Sequence, residues 1–97
     1  MAAHVEFGEV MGAGAPVYQR IPRTAEKLTT TSSAATTATA IGGEYATVTA
    51  IGADVYVLIG SNPTALASGA GMRFITAGAT RDFGPLQEGD KVAAIDA

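Results

Sequence analysis

Turn-forming residues interrupt this chain so often that it has little room for long helices. The 97 residues include 12 glycines and 4 prolines. From Glu44 to Ala97 the turn signals recur about every 8–12 residues, a spacing typical of sandwiches and small barrels. Short runs of β-branched and aromatic residues lie between them. The sequence therefore predicts an all-β fold, a small antiparallel β-sandwich or a partly open barrel.

Two neighbouring segments carry the strongest strand patterns. Tyr45 to Ile51 alternates small apolar with larger or hydroxylated residues, as in a strand with one buried face. Val55 to Ile59 is apolar on both faces, which indicates a central strand. Gly52 opens the two-residue connection between these segments, and glycine at that position is typical of a type II′ hairpin turn. We therefore predict that the two strands form a hairpin.

Three further strands are predicted towards the C-terminus. They cover Met72–Thr76, Thr80–Phe83 and Lys91–Asp96. Gly84-Pro85 ends the second of them, and the glycine-containing segment 64–71 is predicted to be a loop.

The N-terminal part is more irregular. Residues 1–27 contain five glycines and prolines and are predicted to form an irregular or extended N-terminal arm, in which short strands at Val5–Phe7 and Val17–Arg20 are compatible with the pattern. Residues 28–97 are predicted to form the sandwich domain. The threonine-rich tract from Thr29 to Thr39 favours a strand or extended conformation over a helix, because threonine loses rotamer freedom in a helix.

Composition excludes several functional classes. Six Lys and Arg residues stand against nine Asp and Glu, giving a net charge of −3. Nucleic-acid binding needs clustered cations, so nucleic acid is not an expected partner, and no apolar run has the length of a membrane span. The N-terminus lacks the basic and apolar regions of a signal peptide, and we expect synthesis in a host cytoplasm.

The sequence offers no catalytic constellation. Cysteine is absent and the single histidine is His4, which removes thiol nucleophiles and the usual zinc sites. The carboxylates near the C-terminus do not have calcium-loop spacing, and the paired glycines match no phosphate-binding loop. We predict no enzymatic activity, no cofactor and no metal.

The C-terminal half resembles a known class of proteins. The run from Asp54 to Ala65 is a strand followed by Gly-Ser-Asn-Pro-Thr-Ala, and it continues through Ser68-Gly69 to the strand at Met72 and the segment from Ala77 to Phe83. The chain ends on a strand that follows Glu88-Gly89-Asp90. This half is similar to the small β-structured virion proteins of tailed bacteriophages, most of all the capsid decoration (cement) proteins.

The resemblance implies a non-catalytic protein that binds the exterior of the phage head and stabilises the shell. Its partners would be the major capsid protein and copies of itself, in a trimer or another cyclic oligomer, and it would be located on the capsid surface. For this function we expect contact residues in the arm and in the loop after the central strand: Tyr18, Arg20, Arg23, Asn62, Leu66 and Met72. Truncation of residues 1–24 should then weaken binding.

Two alternatives remain open. The chain is also compatible with a head–tail, tail or fibre-associated virion protein. From a different class, a small β-barrel module for a sugar or another small ligand would require Tyr18, Tyr45 and Tyr56 to converge on one exposed face.

Overall fold

The computed structural model describes residues 1–8, 10–11, 17–18 and 23–97, of which 10–11 and 17–18 are described by their strand pairing alone. These residues form ten strands and no helix, so the predicted all-β class is confirmed. The strands are β1 (Ala2–Gly8), β2 (Val10–Met11), β3 (Val17–Tyr18), β4 (Thr24–Thr29), β5 (Ala34–Ala35), β6 (Tyr45–Ile51), β7 (Val55–Gly60), β8 (Arg73–Ile75), β9 (Thr80–Phe83) and β10 (Lys91–Asp96).

Eight of these strands form two four-stranded antiparallel sheets. The first sheet has the order β4-β1-β6-β9, and the second has the order β5-β10-β7-β8. The strands β2 and β3 form a separate antiparallel pair. The predicted sandwich is therefore present, with β7 as an inner strand of the second sheet, as its two apolar faces indicated.

The core lies between the inner faces of the two sheets. In β6 the residues with even numbers are buried and those with odd numbers face outwards, as the alternation predicted. The first sheet contributes Ala3, Val5, Phe7, Leu28, Ala46, Val48 and Ala50, and the second contributes Val55, Val57, Ile75, Val92 and Ala94. The buried residues of both sheets thus form one continuous core.

The predicted hairpin between β6 and β7 is wrong. β6 pairs with β1 and β9, whereas β7 pairs with β10 and β8. Gly52 has the positive φ of 80° expected in a turn, but the turn carries the chain from one sheet to the other. The apolar face of β6 needs a second layer to cover it, and the crossing places Val55 and Val57 in that layer.

The region predicted as an irregular or extended arm contains a regular strand over Ala2–Gly8, and the short strand considered at Val5–Phe7 lies inside it. β1 is an inner strand, paired with β4 on one side and with β6 on the other. Its alternation of Ala3, Val5 and Phe7 with His4 and Glu6 is the signature of a half-buried strand, which the glycines and prolines that follow obscured. The boundary at residue 27 falls inside β4, so it divides an element of the first sheet.

Candidate interaction surfaces

The outer face of the first sheet is mostly polar, with Ile51 39% exposed at the end of β6, and several of its side chains form hydrogen bonds with one another. The Thr47 hydroxyl donates to Asp82 Oδ1 over 2.8 Å, and the hydroxyls of Thr49 and Thr80 are also 2.8 Å apart. His4 Nε2 lies 3.0 Å from Glu6 Oε2 on the same face. These polar groups are satisfied within the sheet, and water can solvate what remains exposed.

The outer face of the second sheet is apolar by contrast. Tyr56 and Leu58 of β7 lie on this face, and Phe74 of β8 is directly opposite Tyr56. The rings of Tyr56 and Phe74 are 5.7 Å apart and tilted by 58°, a favourable aromatic geometry. Ile95 of β10 is paired with Tyr56 on the other side.

The connection from β7 to β8 folds back onto this face. The backbone of Gly69 lies so close to the Tyr56 ring that a Cβ at Gly69 would be 2.6 Å from the nearest ring carbon. The Ala65 N–H donates to Ser33 Oγ over 3.0 Å and ties the start of the loop down. Leu66 and Phe74 nevertheless stay 49% and 44% exposed. We call Tyr56, Leu66, Met72 and Phe74 the apolar patch.

Three of the predicted contact residues lie in the connection from β7 to β8. Leu66 and half-buried Met72 are joined by backbone hydrogen bonds to Gly69, which lies against Tyr56, and Asn62 is exposed in the turn that follows β7. Tyr18 lies in β3, where the description covers the strand pairing and not the side chain. Arg20 lies outside the described residues. Arg23 is separate from the patch, and the role of all six residues in binding stays a prediction.

Arg23 forms a bidentate ion pair with a buried carboxylate. Its Nε donates to Glu44 Oε2 over 2.7 Å, and its Nη2 donates to Glu44 Oε1 over 2.8 Å. Nη2 also lies 2.6 Å from the carbonyl oxygen of Thr39, and the Ile41 N–H donates to Glu44 Oε1 over 2.8 Å. Glu44 is 2% exposed. Arg23 therefore joins the start of β4 to the turn before β6.

These contacts set the charge state of the pair. Hydrogen bonds from Arg23 outweigh the opposing effect of burial and hold the pKa of Glu44 below its usual range. The same hydrogen bonding raises the pKa of Arg23. Sequence reasoning missed this pair because the two residues are 21 positions apart and no local pattern links them.

A second carboxylate, Glu26, fastens the loop after β5. Its Oε1 accepts hydrogen bonds from the Thr37 N–H and hydroxyl, and its Oε2 accepts one from the Ala38 N–H. Burial of Glu26 raises its pKa, but these hydrogen bonds outweigh that effect and leave the pKa lowered. Glu26 and Glu44 therefore act as structural anchors of loops.

The described residues contain no group of three or more histidine, aspartate or glutamate side chains placed to hold a metal ion. His4 is part of β1, where its ring approaches Glu6 on an outer sheet face. No helix among the described residues is long and apolar enough to span a membrane.

Two of the three tyrosines that a ligand-binding groove would need lie on opposite sides of the sandwich. Tyr45 is on the outer face of the first sheet, where its ring lies against Gly84. Tyr56 is on the outer face of the second sheet. Tyr45 and Tyr56 therefore do not converge on one surface.

Comparison with known proteins found no matching family model, no matching curated protein and no matching solved structure.

Proposed function

We propose that this chain is a capsid decoration protein of a tailed bacteriophage, which binds the exterior of the head through the apolar patch and stabilises the shell. The contrast between the two outer faces carries the proposal. One face is mostly polar and internally hydrogen-bonded, whereas the other exposes Phe74 and carries the loop with exposed Leu66. Exposed apolar side chains grouped in this way mark interaction sites.

The dimensions of the molecule are compatible with this role. A specific interface buries about 800 Å² on each partner, which is roughly a sixth of the 5207 Å² that the chain exposes. The two longest dimensions are 35 and 26 Å, so one face of the sandwich can supply such an area. The resemblance to phage decoration proteins covers residues 40–97, which include all of the apolar patch.

A tail or fibre position in the virion uses the same surface chemistry and is separated from decoration by copy number. The small-ligand module has no support from the tyrosines, because Tyr45 and Tyr56 face away from each other.

The test is sedimentation of the native protein from its source lysate, with copy number measured by quantitative mass spectrometry. Decoration predicts co-migration with a megadalton particle at hundreds of copies per particle. About a dozen copies or fewer would instead indicate a cyclic assembly at the connector, tail or fibre. Sedimentation as a small species alone would overturn the virion assignment.

A further inference from the structure

The edge strands of the first sheet are β4 and β9. In the described part of the chain, neither has a strand on its outer side. An edge strand presents unpaired N–H and C=O groups that another strand can bind. Both edge strands of the second sheet are shorter, with two residues in β5 and three in β8. In β8 the carbonyl of Phe74 already accepts a hydrogen bond from Arg81 over 3.3 Å.

The hydrogen-bond pattern identifies which groups of β4 point away from the sheet. In an antiparallel pair, successive residues direct their backbone groups alternately towards and away from the partner strand. The Thr30 N–H donates to the Met1 carbonyl, so the even-numbered residues of β4 face β1. Ala25, Lys27 and Thr29 therefore direct their backbone groups outwards, and all three residues are exposed.

The same reasoning applies to β9. The Ala50 N–H donates to the Ala79 carbonyl over 3.1 Å, so the odd-numbered residues of β9 face β6. Thr80 and Asp82 direct their backbone groups outwards and are exposed. Their side chains lie on the outer face of the first sheet, as do those of Lys27 and Thr29.

We propose that β9 of one copy pairs with β4 of the next copy, which extends the first sheet from molecule to molecule. β9 runs antiparallel to β4 within the sheet, so a copy added at this edge continues the alternation of strand directions. One register places Asp82 opposite Lys27 and Thr80 opposite Thr29. Both pairs join residues whose backbone groups point outwards and whose side chains lie on the same face. Opposite charges and pairs of threonines stabilise a sheet when they are directly opposite each other.

The other edge pairings are less favourable electrostatically. Two copies of β4 joined with all outward groups paired would place Lys27 opposite Lys27. Two copies of β9 joined at both outward residues would place Arg81 opposite Arg81. Like charges directly opposite one another destabilise a sheet. Lys27 has no ion pair among the described residues, so Asp82 of a neighbouring copy supplies the partner that it lacks.

Pairing of two different edges is a head-to-tail contact, which produces a ring where the rotation closes. This inference gives a physical route to the cyclic oligomer that the resemblance to decoration proteins implies, but it does not depend on binding to a capsid.

Disulfide trapping tests the register directly, because the chain contains no cysteine. In the full-length protein, Thr29→Cys and Thr80→Cys are introduced together. Directly opposite residues have Cα atoms about 5.5 Å apart, within disulfide range. Within one copy the two positions are separated by three strand spacings, about 14 Å, which prevents an internal bond.

Mild oxidation of the double variant should give a ladder of covalent oligomers that stops at the closed ring, read on a non-reducing gel. Each single variant should stop at a dimer. The off-register combination of Lys27→Cys with Thr80→Cys serves as the matched control and should crosslink less. A double variant that stops at the dimer, or that crosslinks no better than the off-register control, would overturn the proposal.

A charge exchange followed by sedimentation velocity provides the second measurement. Lys27→Asp and Asp82→Lys should each raise the concentration for half-association by about tenfold, since each replaces an attraction with a repulsion. The double exchange should restore association, whereas Arg73→Glu on the second sheet should leave association unchanged.

Failure of the double exchange to restore association, or a native protein that is monomeric at every concentration, would contradict the head-to-tail register. A trapped ring that does not sediment with particles would refute the decoration function and leave this inference intact.

Discussion

The ion pair of Arg23 and Glu44 shows how a single residue can hold distant segments together. A carboxylate as buried as that of Glu44 is tolerated only when it is paired and hydrogen-bonded. Here the guanidinium and the Ile41 N–H together supply three donors. The pair therefore offsets the cost of the buried charge and fixes the start of β4 against the turn before β6.

We expect Arg23→Ala to lower the free energy of unfolding by about 2–3 kcal/mol, because it leaves the Glu44 carboxylate buried and unpaired. This value lies below that of a fully buried pair, since the Arg23 side chain is 38% exposed. Urea unfolding of the two proteins provides the measurement. Arg23→Lys keeps the charge without the bidentate geometry and should fall between them. Equal stability of Arg23→Ala and the native protein would show that the pair contributes nothing.

Stability should also fall in acid because of Glu44 and Glu26. Both carboxyls have pKa values below the ordinary value of about 4.5. As the pH drops below that value, the unfolded chain takes up protons before the folded chain does, so the free energy of unfolding decreases. Unfolding midpoints from about pH 6 to about pH 3 measure this decrease. Glu26→Gln should make the decrease shallower, and an unchanged profile would contradict the role of Glu26.

A substitution at Gly69 tests whether the close contact between the loop backbone and the Tyr56 ring stabilises the fold. Gly69→Ala would place a Cβ against the ring and would also strain a φ of 74°. We expect a loss of about 2–4 kcal/mol from overpacking and the backbone together. Gly71→Ala is the matched control, because its φ is 73° and nothing lies within 4 Å of its Cβ. Thermal unfolding that shows equal losses for both variants would mean that the contact with Tyr56 is unimportant.

At the scale of elements, the inner position of β1 changes what the N-terminus does. Removal of residues 1–24 would delete this strand, so we expect loss of folding and not simply the weaker binding predicted for an arm.

Val5→Ala and His4→Ala are a matched pair of variants on β1. Val5 is 1% exposed and faces the core, so we expect its truncation to cost about 2–3 kcal/mol. The exposed pair of His4 with Glu6 contributes about 0–1 kcal/mol. Similar losses for both variants in urea unfolding would contradict this orientation of β1.

Local patterns predicted the strands better than their partners. The alternation of Tyr45–Ile51 and the apolar run of Val55–Ile59 identified β6 and β7, because burial on one or both faces is written into residue spacing. Their assignment to different sheets depends on which strands occupy each edge, and a glycine turn such as that at Gly52 suits either connection. Leu66 and Met72 were singled out from the sequence as contact residues, and that role stays a prediction, whereas the position of Phe74 beside Tyr56 depends on cross-strand pairing that local sequence does not encode.

At the scale of the whole molecule, the single chain is already compact. Its exposed area of 5207 Å² is close to the value of about 5100 Å² for a folded monomer of this mass. Its radius of gyration of 12.4 Å also matches the value of about 12.5 Å for a compact domain of this length. The core is therefore complete within one copy, and surface contacts can be altered without removing the fold.

This separation of core and surface gives the last prediction. If the apolar patch binds the capsid, Leu66→Lys and Phe74→Lys should each weaken binding to purified particles by about tenfold or more, because each places a charge in a desolvated contact. The melting temperature of Leu66→Lys should change little, since this side chain is already about half exposed. Phe74→Lys also loses the ring contact with Tyr56 and should melt roughly 5 °C lower while remaining folded. Thr49→Lys on the polar face of the first sheet is the control and should leave particle binding intact. Loss of binding with Thr49→Lys but not with the patch variants would place the contact on the opposite face of the sandwich.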